Sequence, residues 1–163
     1  MILQYFKKKE NKEQIIAAEQ YKKILFESNI FLNENNFFKI KNYKISFEIV
    51  SIFLIMFIRI NLLEYNRKLY LKVNDELLSL FISDLDESLR EKGIGDMSIG
   101  KYVKSYVKKF YFRISKFPDD NNLYNNKAFI EYLKVTNLIK NEEYINVSRK
   151  FNDKFVDFIN STN

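Results

Sequence analysis

A chain of 163 residues with only three glycines and one proline has few architectures open to it. Tight β-turns draw heavily on Gly and Pro, and a sandwich or barrel needs many such turns. Helices joined by short corners need few, so the sequence predicts an all-α chain. The length suits one domain with a real core. A content of 47% hydrophobic and 29% charged residues is globular rather than disordered. The expectation is a single compact bundle of about six helices over residues 1–163, with no sheet.

The chain contains no Cys and no His. Disulfides, thiol nucleophiles and Cys-built zinc sites are excluded, as are imidazole catalysis and His ligation of metal or haem. Only carboxylates, Lys and Tyr remain to run a reaction. The sequence therefore points away from an enzyme, and it implies no cofactor and no metal site. Abundant Asn, Lys, Ile, Phe and Tyr without any Trp reads as the codon usage of an AT-rich genome, which lowers the weight of any single Asn or Lys.

Apolar spacing sets out the helices. The first covers about residues 11–28, with Ile15, Ala18, Lys22, Leu25 and Phe26 on one stripe, and an Asn-rich connection follows to Asn42. The second runs from about Ser46 to Tyr65 and is apolar on all sides through its middle, as the buried centre of a bundle is. The third starts near Asn74 or Asp75 and turns Leu77, Leu78, Phe81, Leu85 and Leu89 inward. Gly93 stands just past its end, where a left-handed residue is wanted. Asp96 or Ser98 caps a fourth helix that lasts to about Lys116, before Pro118. Two more helices are expected, from about Lys127 to Lys140 and from Glu142 to Asn160.

No targeting signal is expected, because residues 1–6 run straight into Lys7-Lys8-Lys9 without a charged segment ahead of an apolar one. The apolar run Ile49–Ile58 is shorter than the roughly 20 residues a spanning helix needs. The expectation is a cytosolic protein able to attach to a surface.

Charge is concentrated on the fourth helix. Lys101, Lys104, Lys108, Lys109, Arg113 and Lys116 equal the net +6 of the whole chain, and no acid lies between Ser98 and Phe117. Ile99, Tyr102, Val103, Tyr106, Val107, Phe110, Ile114 and Phe117 form the opposite stripe. The basic side reads either as a docking face for RNA, acidic lipid or an acidic protein, or as a solvated face of a Lys-rich chain. The stretch Asp84 to Glu91 reads as helix-surface salt bridges rather than as a metal or acid–base site, with Asp86 and Arg90 four apart. Gly93-Ile94-Gly95-Asp96 reads as a tight corner between helices. It lacks the third Gly, the Lys-Ser/Thr pair and the strand of a phosphate loop. Arg90 and Arg113 sit on inward stripes, where pairing with Asp86, Asp96 or another acid would fix the corner.

Together, Phe81, Asp84-Leu85-Asp86, Leu89-Arg90-Glu91, Gly93-Ile94-Gly95-Asp96, Ile99, Lys101, Val103-Lys104, Phe110-Tyr111 and Arg113 resemble the ubiquinol–cytochrome c chaperone family. That family's pattern is D-x-D-x-x-L-R-E-x-G-[VI]-G-D, followed by a basic helix ending in F-Y-G-R. Phe47-Glu48 and Arg59 are similar to its R-F-E…H…R-L segment. Phe112 stands at the family Gly, Phe53 where His is frequent, and Ser46 at the family Arg. The likeness covers about residues 21–137, and residues 138–163 add a C-terminal helix.

The resemblance implies an assembly chaperone for the ubiquinol–cytochrome c reductase complex, cytoplasmic in a bacterium or peripheral at the inner face of its membrane. The implied client is newly made cytochrome b, met at the ribosome with a small partner protein. On that reading an apolar groove would draw on Phe47, Ile49, Ile52, Phe53, Met56 and Phe57. Lys101, Lys104, Lys108 and Lys109 would dock to the ribosome or an anionic membrane. The alternative is an RNA- or ribosome-binding helical module with no chaperone role.

Overall fold

Asparagine marks the helix boundaries of this chain. The side-chain oxygen of Asn42 accepts the backbone N–H of Ile45 at 3.1 Å, that of Asn66 accepts Leu69 at 3.2 Å, and that of Asn126 accepts Phe129 at 3.2 Å. Each satisfies an N–H that a helix start leaves without an internal partner. Asn11 precedes the first helix, its own N–H held by the Gln14 side chain. Asn137 ends the fifth in the left-handed region. The fold uses these asparagines as caps.

The computed structural model describes residues 11–39, 42–140 and 143–162. Within them run α1 (Lys12–Glu34), α2 (Tyr43–Leu63), α3 (Arg67–Glu91), α4 (Asp96–Lys116), α5 (Lys127–Thr136) and α6 (Tyr144–Thr162). No sheet forms among the described residues. One antiparallel bridge joins Phe38 to Ile139. The all-α, six-helix expectation matches this architecture. The reading of residues 1–6 as free of a targeting signal falls outside the described residues.

α2 is the centre of the fold. Phe47, Ile49, Ile52, Phe53, Leu54, Ile55, Met56, Phe57 and Ile60 are all buried, each such side chain contributing about 1.5–3 kcal/mol. α1 lies across α2 and α3, α4 packs chiefly on α3, and α5 and α6 pack together, with α6 against α2. The ring of Phe53 meets those of Phe151 and Phe158, and Phe57 meets Phe158. A buried amide chain pins the first three helices. Asn61 exchanges hydrogen bonds with Gln20 at 2.8 Å and donates to Asn74 at 2.7 Å, while Asn74 donates to the Ile58 carbonyl at 3.2 Å.

Several expectations need correction. α1 continues through Glu34 because Phe31 and Leu32 extend its inward face. That face is Ala17, Tyr21, Ile24, Ser28, Phe31 and Leu32, whereas Ile15 and Phe26 are exposed. α3 begins at Arg67, so Asn74 is an interior polar residue and not a cap. α5 stops at Thr136, since Ile139 pairs with Phe38 instead. The apolar run belongs to a helix of 21 residues, long and apolar enough by length and composition to cross a membrane. Most of that helix is buried inside this fold.

Candidate functional site

The motif residues of α2, α3 and α4 converge on one cluster. Phe81 links Phe47 and Phe110, its ring 6.0 Å from the first and 4.9 Å from the second, and Tyr106 meets Phe47 edge-on at 4.9 Å. Beside the rings lies Glu48, 1% exposed. Arg113 donates to both its carboxylate oxygens at 2.8 Å, and Lys109 reaches one of them at 2.6 Å. A planar guanidinium matches a carboxylate in this two-bond form, the strong variety of ion pair. The hydrogen bonds that Arg113 donates to Glu48 hold it more firmly charged than usual, against the opposing effect of burial. The hydroxyl of Tyr132 is buried without a hydrogen-bond partner. Burial first, and then the charge of Glu48, push its pKa well above the usual tyrosine value.

The elbow is a complete C-terminal motif. The N–H of Gly93 bonds the Arg90 carbonyl at 2.8 Å and that of Ile94 bonds the Leu89 carbonyl at 3.2 Å, with Gly93 at φ +85°. Gly95 is the residue before α4, and Asp96 lies in its first turn, where a negative charge faces the positive end of the helix dipole. Arg90 bonds Asp86 at 2.5 Å and also Asp96, bridging the two helices. Arg90 is exposed and not inward as its stripe suggested, because the helix ends before another element covers it. Leu89 is buried beneath the corner and Glu91 is exposed above it.

On the outward face of α4, Lys101, Lys104 and Lys108 are exposed and make no ion pair among the described residues. Gly100 and Ser105 lie among them on the same surface. Lys109 departs from this group: it turns to Glu48 and lies over the Phe47 ring at 5.1 Å. The inward stripe of α4 is only partly covered. Ile99, Phe110 and Phe117 are buried, but Tyr102 is 45% exposed, and Tyr111 and Phe112 also meet solvent.

The six side chains expected to line a client groove, Phe47, Ile49, Ile52, Phe53, Met56 and Phe57, are all buried in the core. An all-round apolar helix is satisfied only by full enclosure. The open apolar furrow lies elsewhere, between α4 and α5, where Phe112, Ala128, Tyr132 and Val135 line a cavity of about 250 Å³ flanked by Lys116 and Glu131. Its only trace in the sequence is Phe112, the large residue at the family Gly.

Neither the curated proteins nor the solved structures yield a match to this chain. The sequence model of the ubiquinol-cytochrome C chaperone family matches residues 41–119. That segment spans α2, the elbow and α4, and it holds both members of the Glu48–Arg113 pair. This match supports membership of the ubiquinol-cytochrome C chaperone family.

Proposed function

We propose that this chain is a cytoplasmic holding chaperone in the assembly of the ubiquinol–cytochrome c reductase complex, and that newly made cytochrome b is its client. Membership of the family supports the chaperone role. One observation carries the placement of the client: the furrow between α4 and α5 presents almost only carbon, beside a face of three lysines that make no ion pair among the described residues. The helices of a membrane protein under synthesis are apolar, and covering them removes their surface from water. A furrow between two helices suits a third helix laid into it. Lys101, Lys104 and Lys108 would hold the protein at an anionic surface, the ribosome or the inner face of a membrane, by an attraction that weakens as salt rises. The chain works by holding another polypeptide and not by transforming a substrate.

A photo-crosslinker at Phe112 or Val135 should capture nascent cytochrome b in a translating extract, whereas one at the buried Phe53 should not. Capture at Phe53 alone would move the client site back to α2. Changing Lys101, Lys104 and Lys108 together to Glu should abolish co-sedimentation with ribosomes or anionic liposomes at low salt, and unchanged sedimentation removes the docking role. The acid-free face of α4 also supports a second reading, an RNA-binding module. RNA binding lost in the triple variant, with no crosslink from the furrow, would favour it.

A further inference from the structure

Tyr43, in the first turn of α2, keeps its hydroxyl oxygen wholly enclosed, and that oxygen makes no hydrogen bond. Asp84 on α3 is half-buried and accepts the Tyr21 hydroxyl at 2.9 Å, yet it meets no cation among the described residues. Tyr43 and Asp84 line the same cavity between α2 and α3, about 180 Å³ in volume. Its walls are mostly carbon, from Phe47, Val50, Phe81 and Leu85, with Ser46 and Ser88 beside them. The influence of Asp84 reaches Tyr43, whose pKa is pushed up to about 12 by burial, then by Tyr106 and by Asp84.

A buried hydroxyl without a partner and a carboxylate without a counter-ion are both costly, and both are satisfied by the same kind of group. An ammonium or guanidinium donates to each, and an apolar stem behind it would fill the slot. We propose that this cavity receives one long basic side chain, Lys or Arg, from a partner polypeptide. The stem lies against Phe47, Phe81 and Leu85, and the head donates to the Asp84 carboxylate and, as the slot opens to admit it, to the enclosed Tyr43 hydroxyl. The site goes beyond the client reading and does not depend on which protein is held.

The surrounding charge has the right sign. Glu87 and Glu91 follow on the same helix without ion pairs among the described residues, and the end of α3 adds the negative pole of its dipole. Arg90 is engaged by Asp86 and Asp96. Lys92 rests over the Tyr43 ring at 4.8 Å and makes no ion pair with Asp84.

The test is an NMR titration of the full chain with N-acetyl-arginine amide, N-acetyl-lysine amide and N-acetyl-norleucine amide, read at Tyr43, Phe81 and Asp84. The cationic probes should bind at least tenfold more tightly than the norleucine probe. Asp84→Asn keeps an oxygen for Tyr21 but removes the charge, and it should weaken arginine-probe binding at least tenfold. Ser88→Leu, which fills part of the cavity while keeping the Asp84 carboxylate, should also abolish binding and serves as a second route if Asp84→Asn folds poorly. Equal binding of norleucine, unchanged affinity in either variant, or shifts confined to another surface overturns the proposal.

Discussion

Arg113 on α4 and Glu48 on α2, 65 positions apart, are joined by two hydrogen bonds of 2.8 Å with both side chains almost entirely withdrawn from water. Such a pair is costly to desolvate and costlier to halve, since the survivor is left buried without its partner. Arg113→Ala should therefore lower unfolding free energy by about 3–5 kcal/mol, read by urea denaturation. Arg113→Met combined with Glu48→Leu should recover most of that loss, because no buried charge is orphaned and Lys109, a third exposed, can turn to water.

The enclosed tyrosines make stability fall in alkali. Tyr43 titrates near 12 in the fold against a usual value of 10, chiefly through burial, and burial raises Tyr21 and Tyr132 further. A folded state that holds its proton more tightly than the unfolded chain is favoured below pH 10. That contribution drains away as pH climbs from 10 towards 12. Urea midpoints at pH 8, 10 and 11 should decline, and Tyr43→Phe should flatten the decline.

At the elbow, backbone conformation should outweigh the ion pair. Gly93→Ala places a side chain at φ +85°, at a cost of about 1–2 kcal/mol. Arg90→Ala removes only solvent-exposed bridges to Asp86 and Asp96, which screening keeps small. Thermal melts should show the larger drop for Gly93→Ala.

Gly100 sits inside α4 with nothing within 4 Å of where a Cβ would stand. Gly100→Ala should stabilise the protein by about 0.5–1 kcal/mol, visible as a higher melting temperature. Any accompanying loss of ribosome or liposome binding would show that a partner approaches the bare backbone there.

Asn61 ties Gln20 to Asn74 inside the bundle. Asn61→Ala leaves both neighbours with unmet polar groups and should cost about 1–3 kcal/mol. Amide exchange in α1 and α3 should speed up together.

Helix number, the left-handed Gly93 and the inward face of α3 were legible because local periodicity and turn chemistry dictate them. The stripe of α1 was misread by one helical position, since Ile15 and Phe26 look like core residues yet point to solvent. The Asn-rich stretch after Ser28 looked like a break, but tertiary packing of Phe31 and Leu32 carries the helix on. The partner of Arg113 was open in the sequence because the choice among acids depends on how α2 meets α4. Lys109 could not be separated from Lys108 by composition. A single helical step decides which one meets Glu48. The furrow needed α5 in place, and nothing in the α4 motif announces it.

The roof over α2 has a temporal side. Phe151 and Phe158, which cover Phe53 and Phe57, lie on α6, which emerges well after α2 during synthesis. Until they emerge, a segment that would pass for a bilayer anchor stands half-clad, with only its earlier neighbours against it. A truncation before residue 144 would freeze that moment, leaving the polypeptide to the membrane-insertion machinery or to clumping with its own kind.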